Sequence, residues 1–122
     1  MPDWKININD GGTGAGAEFV PGIAGAKAGD PLEAMTYDLV TWANNTSDVH
    51  QPWPATSGWA PLPDDQVPRT SPLYLSDPID PNGSSRPSYD VVQPSSAPQQ
   101  WTVYYVCKLH PDEHGTIVGN AY

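Results

Sequence analysis

Apolar and polar positions alternate along this chain in short runs, and glycine or proline interrupts almost every run. Trp4-Lys5-Ile6-Asn7-Ile8 alternates with period two, as a half-buried strand does. Glu18-Phe19-Val20-Pro21 predicts a shorter strand that ends at proline. Between them the run 11–16 is glycine-rich; it lacks the spacing and following helix of a phosphate loop and predicts a flexible turn. Residues 26–30 predict a turn. Residues 32–35 predict a single helical turn, with Asp30 as cap and Pro31 at the first position. Residues 37–44 predict a clear strand, with Tyr37, Leu39, Thr41 and Ala43 on one face and Val40 and Trp42 on the other. The cluster Asn44-Asn45-Thr46-Ser47-Asp48 predicts a turn that delivers Val49 and His50. Asn45-Thr46-Ser47 also matches a glycosylation acceptor, but such tripeptides arise by chance and the turn reading is preferred.

Residues 51–99 are punctuated by proline, yet carry Trp53, Trp59, Leu62, Val67, Leu73, Tyr74, Leu75, Ile79, Tyr89, Val91 and Val92. That is too much apolar surface for a free linker. The segment predicts an ordered, loop-rich insertion packed on the rest, with short strands at 73–75 and 89–92. Gln100-Trp101-Thr102-Val103-Tyr104-Tyr105-Val106-Cys107 is the strongest strand signal. Trp101, Val103, Tyr105 and Cys107 share one face and Thr102, Tyr104 and Val106 the other. Bulk on both faces predicts a central strand. Thr116-Ile117-Val118 predicts a strand beside it. Many short strands with turn-rich joints predict an all-β sandwich, and 122 residues fit one domain, 1–122.

Composition narrows the function. The net charge is −9, with only Lys5, Lys27, Arg69, Arg86 and Lys108 positive, which argues against nucleic acid as a partner. The charge keeps the protein soluble and could steer it toward a basic partner. No segment is apolar for the length of a membrane span. Residues 1–5 carry no apolar signal core, so the protein is either cytoplasmic or begins after a removed signal.

The candidate chemistry lies in Val106-Cys107-Lys108-Leu109-His110-Pro111-Asp112-Glu113-His114-Gly115, which holds the only cysteine and two of the three histidines. Cys107 and His110 offer one thiolate and one imidazole from a single turn. The remaining imidazole is His50. Two imidazoles and a thiolate in a trigonal arrangement with a weak axial group suit a copper electron-transfer site. The bland alternative for Cys107 is a buried structural cysteine. A Cys–His hydrolase is disfavoured, because the pair shares one turn without an evident third orienting group.

Thr41-Trp42-Ala43-Asn44-Asn45 followed by His50, and Tyr104-Tyr105-Val106-Cys107-x-x-His110-Pro111 running into Gly115-Thr116-Ile117-Val118, resemble the cupredoxins, the blue copper proteins. The loop length is similar to amicyanin- and plastocyanin-like members, and the resemblance covers roughly 26–50 and 79–120. It implies a cupredoxin-like Greek-key β-sandwich and one copper ion bound by His50, Cys107 and His110. It also implies single-electron transfer with redox partner proteins by a monomer, rather than enzyme activity, in a periplasmic or extracellular location. In the family the backbone N–H after the first histidine points at the sulfur, and Gln51 holds that place.

The pattern departs at the axial position. Glu113 stands where the family's short-loop members carry methionine, and Met1 and Met35 lie outside the loop. A carboxylate is harder than a thioether, favours Cu(II) and lowers the potential. The alternatives are the Val49 carbonyl, an empty position, or His114. A three-histidine, one-cysteine set would also suit zinc. Two other functions stand beside electron transfer: a catalytic or small-molecule-sensing copper site with an open position, and a copper carrier. A carrier usually offers several sulfur ligands, and this loop offers one.

Overall fold

The computed structural model describes residues 3–11, 16–93 and 99–121. Most of the glycine-rich turn expected at 11–16 lies outside the described residues. The strands are β1 (Asp3–Asp10), β2 (Ala17–Pro21), β3 (Leu32–Met35), β4 (Leu39–Asn44), β5 (Pro52–Ala55), β6 (Tyr89–Asp90), β7 (Gln100–Cys107) and β8 (His110–Asn120). A 3-10 turn spans Asp64–Gln66. One sheet runs β2-β1-β4-β6 and the other β3-β8-β7-β5. β1 with β4 and β3 with β8 are parallel, and the remaining pairs are antiparallel.

The core forms between the sheets because each strand turns one apolar face inward. Ile6, Ile8, Phe19, Val40, Trp42 and Tyr89 come from the first sheet, and Leu32, Ala34, Trp101, Tyr105, Cys107 and Ile117 from the second. Tyr105 stands edge-on to Phe19 at 4.8 Å and to Trp42 at 5.4 Å between ring centroids, the geometry aromatic quadrupoles favour. On β8, Gly115 and Gly119 pair with Tyr105 and Trp101. A side chain at Gly115 would begin 2.5 Å from the Tyr105 hydroxyl, so both rings lie over bare backbone.

The central placement and two-faced burial of β7 match the expectation. Its outer face meets a second cluster of Trp53, Val67 and Val106, with Trp59, Leu62 and Tyr74 packed against it. The prolines of β5 sit on an edge strand, where a missing N–H costs little. Trp53, Trp59, Leu62, Val67 and Tyr74 of this segment thus pack against the outer face of β7.

Four local expectations are corrected. Residues 32–35 are a strand, not a helical turn: Leu32 and Ala34 are buried, Glu33 is exposed, and β8 pairs alongside. Asp30 caps nothing there; its carboxylate accepts the Lys27 N–H at 2.8 Å. The strand expected from Tyr37 begins at Leu39, because Tyr37 has φ 75° in a turn closed by Asp38 N–H to the Met35 carbonyl at 3.0 Å. Residues 73–75 form no strand, and that expected at 89–92 shortens to β6.

In the 69–77 segment the Arg69 guanidinium donates two hydrogen bonds of 2.9 Å to Asp77, and the Tyr74 hydroxyl donates a third. These bonds, Arg69 first, hold the Asp77 carboxyl down at about 2. A lowered folded value stabilises above the ordinary carboxylate value, and the contribution disappears as pH falls through the folded one. Asp77→Asn is therefore expected to cost about 1 kcal/mol at pH 7, solvent screening keeping the figure small. The difference from wild type should shrink between about pH 4 and pH 2 in denaturant titrations. A gap that persists unchanged at pH 2 contradicts the linkage.

Candidate metal centre

The turn after β4 is built on one buried side chain. Asn44 Nδ2 donates to the carbonyls of Asp48 at 2.7 Å, Ile79 at 3.0 Å and Asp80 at 3.3 Å. Its Oδ1 accepts the Thr46 N–H at 3.0 Å and the Thr46 hydroxyl at 2.8 Å. The next residues then reach His50, whose N–H donates to Ile79 O at 3.2 Å while Ile79 N–H donates to His50 O at 2.7 Å. His50 is held by backbone on both sides, and only 2 % of it is exposed.

Cys107 ends β7, with its sulfur at the rim of the core. Gln51 N–H points at Sγ from 3.4 Å, and Gln51 O accepts the Lys108 N–H at 2.8 Å. Burial pushes the Cys107 thiol up, and backbone donors from Gln51, Leu109 and His110 oppose that rise. The β7–β8 ladder shifts register here: Val106 pairs with His114, but Cys107 pairs with His110. This bulge brings Glu113 to the same end.

His50 Nδ1 and His110 Nδ1 each lie 3.5 Å from Cys107 Sγ. Glu113 Oε1 is 3.1 Å from His50 Nδ1 and 3.7 Å from His110 Nδ1. Glu113 Oε2 accepts the Ala17 N–H at 2.8 Å, a contact that crosses from β2. His50, Cys107, His110 and Glu113 thus offer four donor atoms within 4.8 Å of one another. The side chain of His110 is 42 % exposed and that of Glu113 only 9 %.

His114 is turned away from this group. Its ring stacks on Trp59 at 4.1 Å, with 22° between planes. The buried Nε2 of His50 has no hydrogen-bond partner among the described residues.

The cluster suits a cation. Glu113 Oε1 is buried, with His50 Nδ1 at 3.1 Å but no hydrogen bond to it among the described residues, a poorly compensated place for a carboxylate oxygen. A metal ion placed among these donors would satisfy it. One thiolate and two imidazoles select a borderline or soft metal, with copper and zinc the leading candidates. Sequence reasoning missed Asn44 as the hub and Ala17 as the partner of Glu113. The first is hidden in a run of ordinary turn formers, and the second acts through backbone, which carries no residue signal.

No protein-family model matches the chain, and no curated protein matches it. Solved structures do. A purple cupredoxin from Nitrosopumilus maritimus superposes with TM-score 0.64 at 19% identity, over 95% of this chain and 98% of that one. A Cu(I) form of an amicyanin variant gives TM-score 0.52 at 18% identity, over 95% and 82%. A laccase from Pediococcus acidilactici gives TM-score 0.51 at 12% identity, over 98% of this chain but 26% of that one.

Proposed function

We propose that this chain, which has the cupredoxin fold, is a mononuclear copper protein that carries single electrons between redox partners. His50, Cys107 and His110 are the strong ligands and Glu113 is the fourth. The observation that carries the reading is the convergence of these four donors within 4.8 Å at one end of the sandwich. Bound copper would supply the Cu(II)/Cu(I) couple. The protein residues supply the rest. Gln51 N–H steadies negative charge on the Cys107 sulfur. Strand ends and backbone bridges fix His50 and Cys107, which limits reorganisation between oxidation states. The partly exposed His110 ring provides an edge through which an electron can reach a partner.

We place the chain as one domain, monomeric, in a periplasmic or extracellular setting. A charge of −9 favours a partner with a basic surface. Among the described residues no helix is long and apolar enough to cross a membrane. A carrier role is disfavoured because the cluster holds a single sulfur. One observation favours a second reading, a copper site that takes a small molecule: a cleft of about 420 Å³ lined by Gly16, Ala17, Glu18, His110, Asp112 and Glu113.

The test is the optical and EPR spectrum of Cu(II)-loaded protein beside Glu113→Gln. An intense visible thiolate-to-copper band is expected for both. The variant should show a shifted band and a higher reduction potential, since it loses an anionic oxygen donor. Absence of the band in the wild type overturns the copper reading. Superimposable spectra remove Glu113 from the ligand set. Anion-induced spectral changes would favour the small-molecule reading.

A further inference from the structure

β8 alone does not aim the Glu113 side chain, because the ladder shifts register where that residue sits. The hydrogen bond described for its carboxylate comes instead from Ala17 N–H, at the first position of β2 in the opposite sheet. Directly before it stands Gly16. A Cβ built there would lie 2.8 Å from Glu113 Oε2 and 3.4 Å from its Cγ. Gly16 is outside the left-handed region, so its own backbone does not demand glycine. Its carbonyl accepts Gly11 N–H at 3.0 Å, which ties this stretch to the end of β1. Backbone anchored in this way yields less readily than a carboxylate held by one bond.

We propose that Gly16 and Ala17 are positioning residues for the fourth donor. Ala17 N–H holds Oε2, and the missing side chain at Gly16 leaves the carboxylate room to lie there. Oε1 alone is then turned toward His50, Cys107 and His110, so Glu113 offers a single oxygen rather than both. The orientation of Glu113 belongs to the metal-free chain. Its effect on a metal rests on the copper reading above.

The experiment uses Gly16→Ala, Glu113→Ala and the double variant. The first readout is amide hydrogen exchange at Ala17 by NMR in metal-free protein. Both single variants should exchange at Ala17 about tenfold faster than wild type, the size expected for losing one such bond. Neighbouring β1–β2 ladder amides should keep their rates. Glu113→Ala leaves the sequence of β2 untouched, so it decides the point even where Gly16→Ala folds poorly. Unchanged Ala17 exchange in Glu113→Ala overturns the proposal.

The second readout is the Cu(II) charge-transfer spectrum. Gly16→Ala should move the band and the potential part of the way toward Glu113→Ala, and the double variant should match Glu113→Ala. A glycine needed only for the hairpin would alter stability without moving the band. The same band shift in the double variant, beyond that of Glu113→Ala, also overturns the proposal. A wild-type protein without a thiolate band sinks the copper reading separately, while the amide exchange still decides how Glu113 is held.

Discussion

Cys107→Ser protein exposed to Cu(II) is expected to show no intense visible band and to bind the ion at least about 100-fold more weakly than wild type. Changes to groups that merely orient ligands cost about 10–100-fold in metal affinity, so removing the sulfur itself sets a floor at the top of that range. The serine hydroxyl stays protonated near neutral pH and is a hard donor where copper favours a soft one. The backbone N–H of Gln51, now aimed at Sγ from 3.4 Å, would face the smaller hydroxyl. Cys107 is fully buried, so placing a hydroxyl there should also cost the metal-free fold about 1–2 kcal/mol. Optical titration against a competing chelator measures the first effect and denaturant unfolding the second. Retention of the band in the serine protein would assign it to other ligands.

Asn44→Ala should be the most destabilising substitution near the site, at about 3–5 kcal/mol, although Asn44 is not among the four donors. Three carbonyls and two Thr46 donors converge on its side chain, which is 1 % exposed. Alanine strips the buried Thr46 N–H of this partner and leaves Ile79 O only the His50 N–H, Asp80 O only the Gly83 N–H and Asp48 O only the Thr46 hydroxyl, and an unsatisfied buried group costs more than an average hydrogen bond returns. Loosening the 44–48 turn also frees His50, so copper affinity should fall about 10-fold or more. The neighbouring Asn45 is the control. Its amide reaches Asn7 and Asn9 on the exposed surface, and Asn45→Ala should cost less than about 1 kcal/mol. Equal losses from the two alanine variants would refute the hub assignment.

What the sequence made legible follows from how local each signal is. β7 was readable residue by residue because its two faces carry different side chains in strict alternation. Val40 and Trp42 were placed correctly for the same reason. Residues 32–35 were not, because Asp30 and Pro31 imitate a helix start. What makes that stretch a strand is parallel pairing with β8, far along the chain. Rarity made His50, Cys107 and His110 legible: three histidines and one cysteine leave few ways to build a soft-metal site. Spacing suggested Glu113 but could not orient it. The direction of its carboxylate depends on Ala17 N–H from the opposite sheet. Capture of His114 depends on Trp59, which follows the Thr56-Ser57-Gly58 turn with φ 67° and lies far from His114 along the chain.

β8 follows every other strand in the chain, yet it lies inside its sheet between β3 and β7. A growing chain therefore waits until residues 110–120 have been made. Before β8 is made, β3 has no neighbour in its sheet and β7 has one bare edge, so the second sheet stands as unconnected pieces. Two of the four donors, His110 and Glu113, are carried on β8 itself. Folding is thus governed by contacts of long sequence separation, the regime of slow two-state folding. The four donors come together only once β8 has been made. A ribosome that stops before His110 releases a product with neither a closed sandwich nor the means to hold an ion, and it leaves the apolar faces of β3 and β7 exposed to aggregation or proteolysis.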